Sequence, residues 1–399
     1  MSDSAILARQ QNRLLSQVTF VTSLGDYVSM FAILVLIHKV SGSVALAAYS
    51  VPIKSLGVAF GGLTLPWIVS RYSIRRIIVW SQVVSGILMG FLALYSKTGA
   101  NSWFILFILL CHSTLRQYFD GARETFSKSL AKQAEQRTVQ AQILHGLYSA
   151  QFLGPVLSFF LVTYLPIELP LWLDAVSFVV AAIGATKLLD IGSRETSSIL
   201  RPLTYLRKHP GLTQIFLIRS VGYWIPVGLF NYIIFAVLQD HYHAGLVNAA
   251  WIYALIGLGS MSASHTLRTP NSFLGSTLGR LKDAEIAFLS LIVLAFTRIA
   301  FINLPALSFA AIVVAISGIC NGLNAISTQS LRRKLTTDRQ FPEIVGLELV
   351  VGRLADWAVS SLCFAVLASK AMNYSQGVWI SAISLFILAW FHLAKPLRI

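Results

Sequence analysis

The chain is built of long apolar blocks separated by short polar connections. The blocks run to about 18–25 residues, the length a helix needs to cross roughly 30 Å of hydrocarbon at about 1.5 Å per residue. Twelve such spans can be placed, at 14–37, 44–69, 77–95, 103–126, 139–163, 171–189, 215–238, 249–267, 286–302, 307–328, 345–368 and 377–394. The pattern predicts an all-α membrane protein. The longest polar interruption, "TKLLDIGSRETSSILRPLTYLRKHPGLTQ" (186–214), divides the spans six and six. It sets an expected organisation of an N-terminal six-helix bundle (1–189), a linker (190–214) and a C-terminal six-helix bundle (215–399). The halves echo each other. "FSKSLAKQAEQRTVQAQILHGL" follows the fourth span and "TQSLRRKLTTDRQFPEIVGLEL" the tenth, each a helix end, a basic turn and re-entry into an apolar helix. Two pseudo-symmetric six-helix bundles predict a transporter with its site at the midplane between them.

Composition agrees. The chain is 56% hydrophobic and only 12% charged, with a mean hydropathy of +0.70, whereas soluble domains carry about 25% charged residues. The net charge of +15 suggests nucleic acid until its distribution is read. Of the 31 lysines and arginines, 22 fall on the side that holds the N-terminus, 3 on the other and 6 inside spans. That asymmetry is the positive-inside signal. It puts both termini in the cytoplasm, makes the lipid bilayer the expected surroundings and removes nucleic acid as a partner. Cys111, Cys320 and Cys363 all lie in spans without metal-ligand spacing and read as small packing residues. No cleavable leader is expected, because the first apolar run is too long for one.

Several stretches resemble the major facilitator superfamily, and most of all its bacterial macrolide-efflux-like and siderophore-exporter-like permeases. "NRLLSQVTFVTSLGDYVSMFAILVLIHKVSGS" is similar to that branch's first helix, with its Gly25-Asp26 pair. "LWLDAVSFVVAAI" resembles the start of the sixth helix, and "RPLTYLRKHPGLTQIFLIRS" the central loop and seventh helix. In "GGLTLPWIVSRYSIRR", Arg71, Arg75 and Arg76 match the superfamily's basic loop after the second span, while Ser70 stands where an Asp is usual. "LRQYFDGARE" resembles the fourth-span motif with a membrane-embedded arginine, one residue longer between Arg116 and Gly121. "AQFLGPVLSFF" keeps Gly154-Pro155 of the exporter motif but carries Ser158-Phe159 after it. The resemblance implies the superfamily's twelve-helix fold, in which helices 1, 2 and 4 border a central cavity, and an inner-membrane location.

The candidate chemistry lies in charges at depth. Counting from the span ends, Asp26 lies about 18 Å in, Lys54 about 15 Å and Arg116 about 20 Å. An unpaired charge there costs about 2.5–3.5 kcal/mol even on lenient scales, so the three are expected to pair or to face water. Two readings stay open: Asp26 binds and releases a proton during transport, or it is locked in a permanent ion pair with Arg116 or Lys54. Asp120 and Arg123 follow Arg116 at spacings that let side chains meet along one helix face. With Arg71, Arg75, Arg76, Arg353 and Asp356 they make the expected gate or charge network. His145 and Gln151 are further candidates for lining the path. Tyr27, Tyr118, Tyr148, Tyr223 and Trp224 could stack on a ligand. Arg219 and Arg298 lie nearer span ends and are expected to snorkel.

No G-x-x-x-x-G-K-[ST] phosphate loop occurs, so an ion gradient or downhill diffusion is the expected driver and no cofactor is expected. "GLGSMS" (257–262) reads as helix packing, and "DHYH" (240–243) as a solvated loop rather than a metal site. No hydrolase triad or HExxH appears, so no enzyme is expected. The expectation is a monomeric secondary transporter that exports an amphipathic or anionic small molecule, siderophore or drug-like, against entering protons. An importer of the same fold and a non-transporting receptor or scaffold are the alternatives.

Overall fold

A computed structural model describes residues 3–98, 101–130, 135–192, 201–243, 249–269, 273–368 and 374–394. Those residues are helical, without a strand among them. In hydrocarbon a backbone must satisfy its own donors and acceptors, which the helix does within each segment.

The first half holds α1 (Asp3–Ser41), α2 (Val44–Ala48), α3 (Ser50–Arg71), α4 (Ile74–Tyr95), α5 (Ser102–Leu130), α6 (Gln136–Tyr164) and α7 (Glu168–Ala185). The linker contains α8 (Arg201–Lys208) and the start of α9 (Pro210–Leu217). The second half continues with α10 (Tyr223–Ala236), α11 (Ala249–Arg268), α12 (Phe273–Arg280), α13 (Asp283–Asn303), α14 (Leu307–Leu335), α15 (Phe341–Ala368) and α16 (Tyr374–Ala394). Seven of these helices are apolar and long enough to cross a bilayer by length and composition alone. α5 is not among them, because His112, Arg116, Gln117, Asp120 and Arg123 make its second half polar. α1 is longer than its apolar span, beginning eleven residues before 14 and ending where Gly42 takes a left-handed φ of 66°. The Gly42 amide closes that end on the His38 carbonyl at 2.8 Å. The seventh span is interrupted, with a π-helical turn at Ile218–Gly222 and another at Val237–His241. The sequence pattern gave no sign of either turn.

Within the first half α1 packs on α6 and α7, α3 on α5, and α4 on α5 and α7. Within the second, α11 packs on α14, α13 on α14 and α16, and α10 on α15 and α16. The halves meet along two seams, α3 with α15 and α6 with α11. Small residues let the backbones touch there: a Cβ on Gly257 would run into the Gln151–Phe152 backbone, and Gly62 and Gly346 face each other's carbonyls.

Both ends of the space between the halves are closed, by different chemistry. At the basic end the two internally similar segments face each other. Arg332 pairs with Glu124, Lys128 donates to the Thr336 carbonyl at 2.6 Å, and Arg333 donates to Ser127 at 2.6 Å. Arg137 reaches Asp283 at 2.5 Å, and Gln140 bonds Gln329. At the other end one apolar cluster runs through both halves, from Phe31, Ile37 and Leu109 to Ile233, Leu238 and Phe301. The Phe31 and Tyr253 rings meet edge-on at 5.7 Å across it.

Candidate functional site

Asp26 and Arg116 are brought together: Arg116 on α5 pairs with Asp26 Oδ2 and donates to Ser23 Oγ at 2.8 Å. The same guanidinium lies 3.4 Å from Asp120, which meets Arg123 at 2.9 Å. One arginine thus sits between two carboxylates, as the one-turn spacing along α5 allows. Asp26 and Arg116 keep 19% and 15% of their side-chain surface accessible although both lie well inside their spans.

Two further residues complete this cluster, and sequence reasoning did not single them out. His112, one turn before Arg116, points Nε2 at Asp26 Oδ1 from 3.5 Å, too far for a hydrogen bond. Neither of those two buried atoms has a hydrogen-bond partner. Asp174 on α7 is fully buried: Ser29 donates to its Oδ2 at 2.5 Å, while the Ser177 hydroxyl donates to the Asp174 backbone carbonyl at 2.8 Å. Donor atoms of Asp26, His112 and Asp174 all lie within 4.8 Å of one another. The set has the size to bracket a divalent metal, but two fixed cations beside it, Arg116 and Lys54, already supply the countercharge. The available signals were the four-residue step from His112 to Arg116 and a lone acid in the apolar run "LWLDAVSF".

Lys54 on α3 lies within electrostatic reach of both Asp26 and Asp174. Among the described residues no group bonds its ammonium. Arg116 is therefore occupied and Lys54 is not.

The other expected residues fall elsewhere. Arg353 and Asp356 pair at 3.2 Å on α15, and Arg353 lies over the Trp224 ring at 3.5 Å. Asp356 also accepts from Ser55 of α3 at 2.5 Å, a bond across the seam one residue from Lys54. His145 bonds Ser264 at 3.0 Å on the α6–α11 seam, where Gln151 also lies, and neither joins the Asp26 cluster. Arg75 pairs with exposed Asp190 at 2.9 Å, Arg71 stacks on Trp67 at 4.3 Å and Arg76 is exposed, so the basic loop stays within its own half. Tyr148 lies within reach of both Tyr27 and Tyr223, which places aromatics of both halves around one interior.

Arg219 and Arg298 do not snorkel. Arg219 reaches Glu348 at 2.7 Å and Thr328 at 2.6 Å, its helix widened there by the π-turn. Arg298 is buried against the Pro226 carbonyl and Ser381. Glu348, near enough to a span end to suggest contact with water, is 1% exposed and holds both Arg219 and Arg332. Direction around a helix, not depth along it, decides these cases.

Known proteins place the fold. The Major Facilitator Superfamily profile matches residues 15–355. The chain belongs to the major facilitator superfamily. That family is made of transporters, not enzymes. No curated protein sequence matches the chain. Among solved structures, it is similar to the human organic anion transporter MFSD10 (TETRAN), with a TM-score of 0.75 and 12% identity over 96% of this chain and 99% of that one. The proton:xylose symporter XylE is similar at a TM-score of 0.73 and 10% identity, over 97% and 95%. A bacterial homologue of the iron transporter ferroportin is similar at 0.67 and 15%, over 96% and 98%. At these identities the likeness is one of fold.

Proposed function

We propose that this superfamily member is a proton-coupled exporter of an anionic or amphipathic small molecule, siderophore-like or drug-like, working by alternating access. It acts as a monomer in the inner membrane with both termini in the cytoplasm. The observation that carries the reading is the unequal use of the buried charges. Arg116 is held by Asp26 and Asp120, whereas Lys54 has no bonded partner among the described residues and lies within electrostatic reach of the partly accessible Asp26. A solute carboxylate can take Lys54 while Asp26 exchanges a proton with the same interior. Desolvation favours the neutral carboxyl and a nearby cation the charged one. Movement of Arg116 between Asp26 and Asp120 gives alternating access a way to switch between the two. The similar folds of an organic anion transporter and a proton symporter are consistent with both parts of the reading.

The test is transport in proteoliposomes holding the full chain, under an imposed pH gradient. The probes are carboxyfluorescein, a neutral dye and cationic ethidium. Saturable, gradient-driven movement of the carboxylate dye, and its exclusion from intact expressing cells, support the proposal. Movement into cells reverses the direction to import. No movement of any probe under any gradient points to a receptor or scaffold.

A further inference from the structure

We propose that Asp174, with His112 beside it, is the inner half of a two-carboxylate proton site of which Asp26 is the more accessible half. This deepens the proton-coupled reading and rests on it for its role in transport, but not for the site itself.

The site is built by a missing side chain. A Cβ on Gly25 would collide with the Asp174 carboxylate and Ser177, so the hydrogen at Gly25 lets α7 bring its carboxylate onto α1 beside Asp26. The Gly-Asp pair in the first span therefore has a structural partner some 150 residues on (Asp174). Once there, the two carboxylates and the His112 ring form a compact set within 4.8 Å, with Asp174 wholly buried and His112 only 7% exposed. The imidazole is held edge-on against Phe178, with ring centroids 5.4 Å apart.

The bonding inside the set is incomplete in one respect. Asp26 spends Oδ2 on Arg116, while its Oδ1 and the facing His112 Nε2 have no hydrogen bond. Two buried polar atoms aimed at each other across 3.5 Å cost free energy unless something bridges them. The Asp174 carboxylate receives the Ser29 hydroxyl but no lysine or arginine among the described residues. Two neighbouring buried carboxylates resist being charged together, and such a set takes up a proton as a unit rather than residue by residue.

The charged and titratable groups around it are few. α3 presents Lys54. α5 presents His112 and Arg116, with Asp120 a turn further on. α1 adds Tyr27 beside Asp26. α4 packs on α7 through Gly86 and Gly90 and carries titratable side chains only at its ends, Arg75, Arg76 and Tyr95. With Arg116 and Lys54 cationic and both carboxylates ionised, the four charges cancel; a bound proton leaves one positive charge.

The path follows from exposure. Asp26 keeps part of its side-chain surface accessible and Asp174 keeps none. A proton taken up by the partly accessible Asp26 carboxyl passes to the facing His112 Nε2 and, by a swing of that ring within the 4.8 Å set, to Asp174, leaving Asp26 ionised and paired with Arg116. The stored proton lies where a solute cannot displace it.

The experiment is pH-titrated infrared difference spectroscopy of the full chain in lipid nanodiscs, without substrate. The expected result is a carboxylic-acid C=O band in the wild type that disappears as pH rises. Asp174→Asn should remove it, and the exposed control Asp190→Asn should leave it. His112→Gln should shift its midpoint by about tenfold in proton concentration. If Asp174→Asn does not fold, Ser29→Ala, which removes one hydroxyl from Asp174, should also shift the midpoint. An unchanged band in Asp174→Asn overturns the proposal, as does an unmoved midpoint in both His112→Gln and Ser29→Ala. Stoichiometric binding of MnCl2 that is lost in Asp174→Asn also overturns it, in favour of a metal site. A wild type with the band but no pH-driven transport supports the site while refuting the coupling reading. Proton-driven transport with an Asp174-independent band refutes the site alone.

Discussion

The molecule holds two buried charge clusters, and they are wired differently. At the basic end three carboxylates each hold one or two bonded cations. Glu348 holds Arg219 and Arg332, Glu124 holds Arg332, and Asp283 holds Arg137 and Lys334. Two of these bonds, Glu124 with Arg332 and Asp283 with Arg137, cross between halves and exist only while that end is shut; the pairs of Glu348 and of Lys334 lie within the second half and brace it. The Asp26 cluster instead draws its carboxylates, imidazole and cations from one half alone. Among the described residues it leaves a carboxylate oxygen, Asp26 Oδ1, together with His112 Nε2 and Lys54, without hydrogen bonds, whereas the charged groups of the basic end leave only nitrogens of Arg332 and Arg333 spare. Buried ion pairs that are complete resist change, since removing one partner strands the other. Groups left open can bind something. The contrast separates a latch from a site.

The comparison can be broken at several points. The largest effect is expected from Glu348→Gln, which takes the buried carboxylate from Arg219 and leaves Arg332 with Glu124 alone. Thermal unfolding in detergent should show a loss of about 3–5 kcal/mol, and a change near zero would mean that these buried pairs do not brace the second half. Next comes Lys54→Gln. It should raise the half-saturating concentration for a carboxylate dye by about ten- to a hundredfold, the worth of a charge-assisted bond of about 1.5–3 kcal/mol, without lowering folding stability. An unchanged half-saturation would return Lys54 to a structural role. The smallest effect belongs to Asp190→Asn. Its ion pair with Arg75 is more than a third exposed on both sides, and unfolding should move by no more than about 0.5 kcal/mol. A larger loss there would place part of the latch in the basic loop.

Much of the fold was legible because bilayer thickness imposes a length on each apolar block, and because basic residues gather on one side. Counting depth along three helices was enough to bring Asp26 and Arg116 to one level, and helical spacing foretold the run through Asp120 and Arg123. What could not be read was direction around the helix. His112 and Asp174 each stand as one polar residue in an apolar run, and the partners that explain them lie on other helices. Glu348, Arg219 and Arg298 have depths compatible with snorkelling, yet their side chains turn inward to groups more than 70 residues away in sequence, as the Pro226 carbonyl is from Arg298. The latch itself was half visible, since the two similar basic segments that form it were recognised but not their contact across the halves.

The most direct measurement is internal pH, read with pyranine trapped in proteoliposomes, while carboxyfluorescein-type substrate moves down its own gradient. The account predicts that wild-type protein moves protons in the opposite direction to the substrate. It also predicts that Asp26→Asn keeps substrate exchange while proton movement falls by about a hundredfold or more. Proton movement of wild-type size in Asp26→Asn would contradict it.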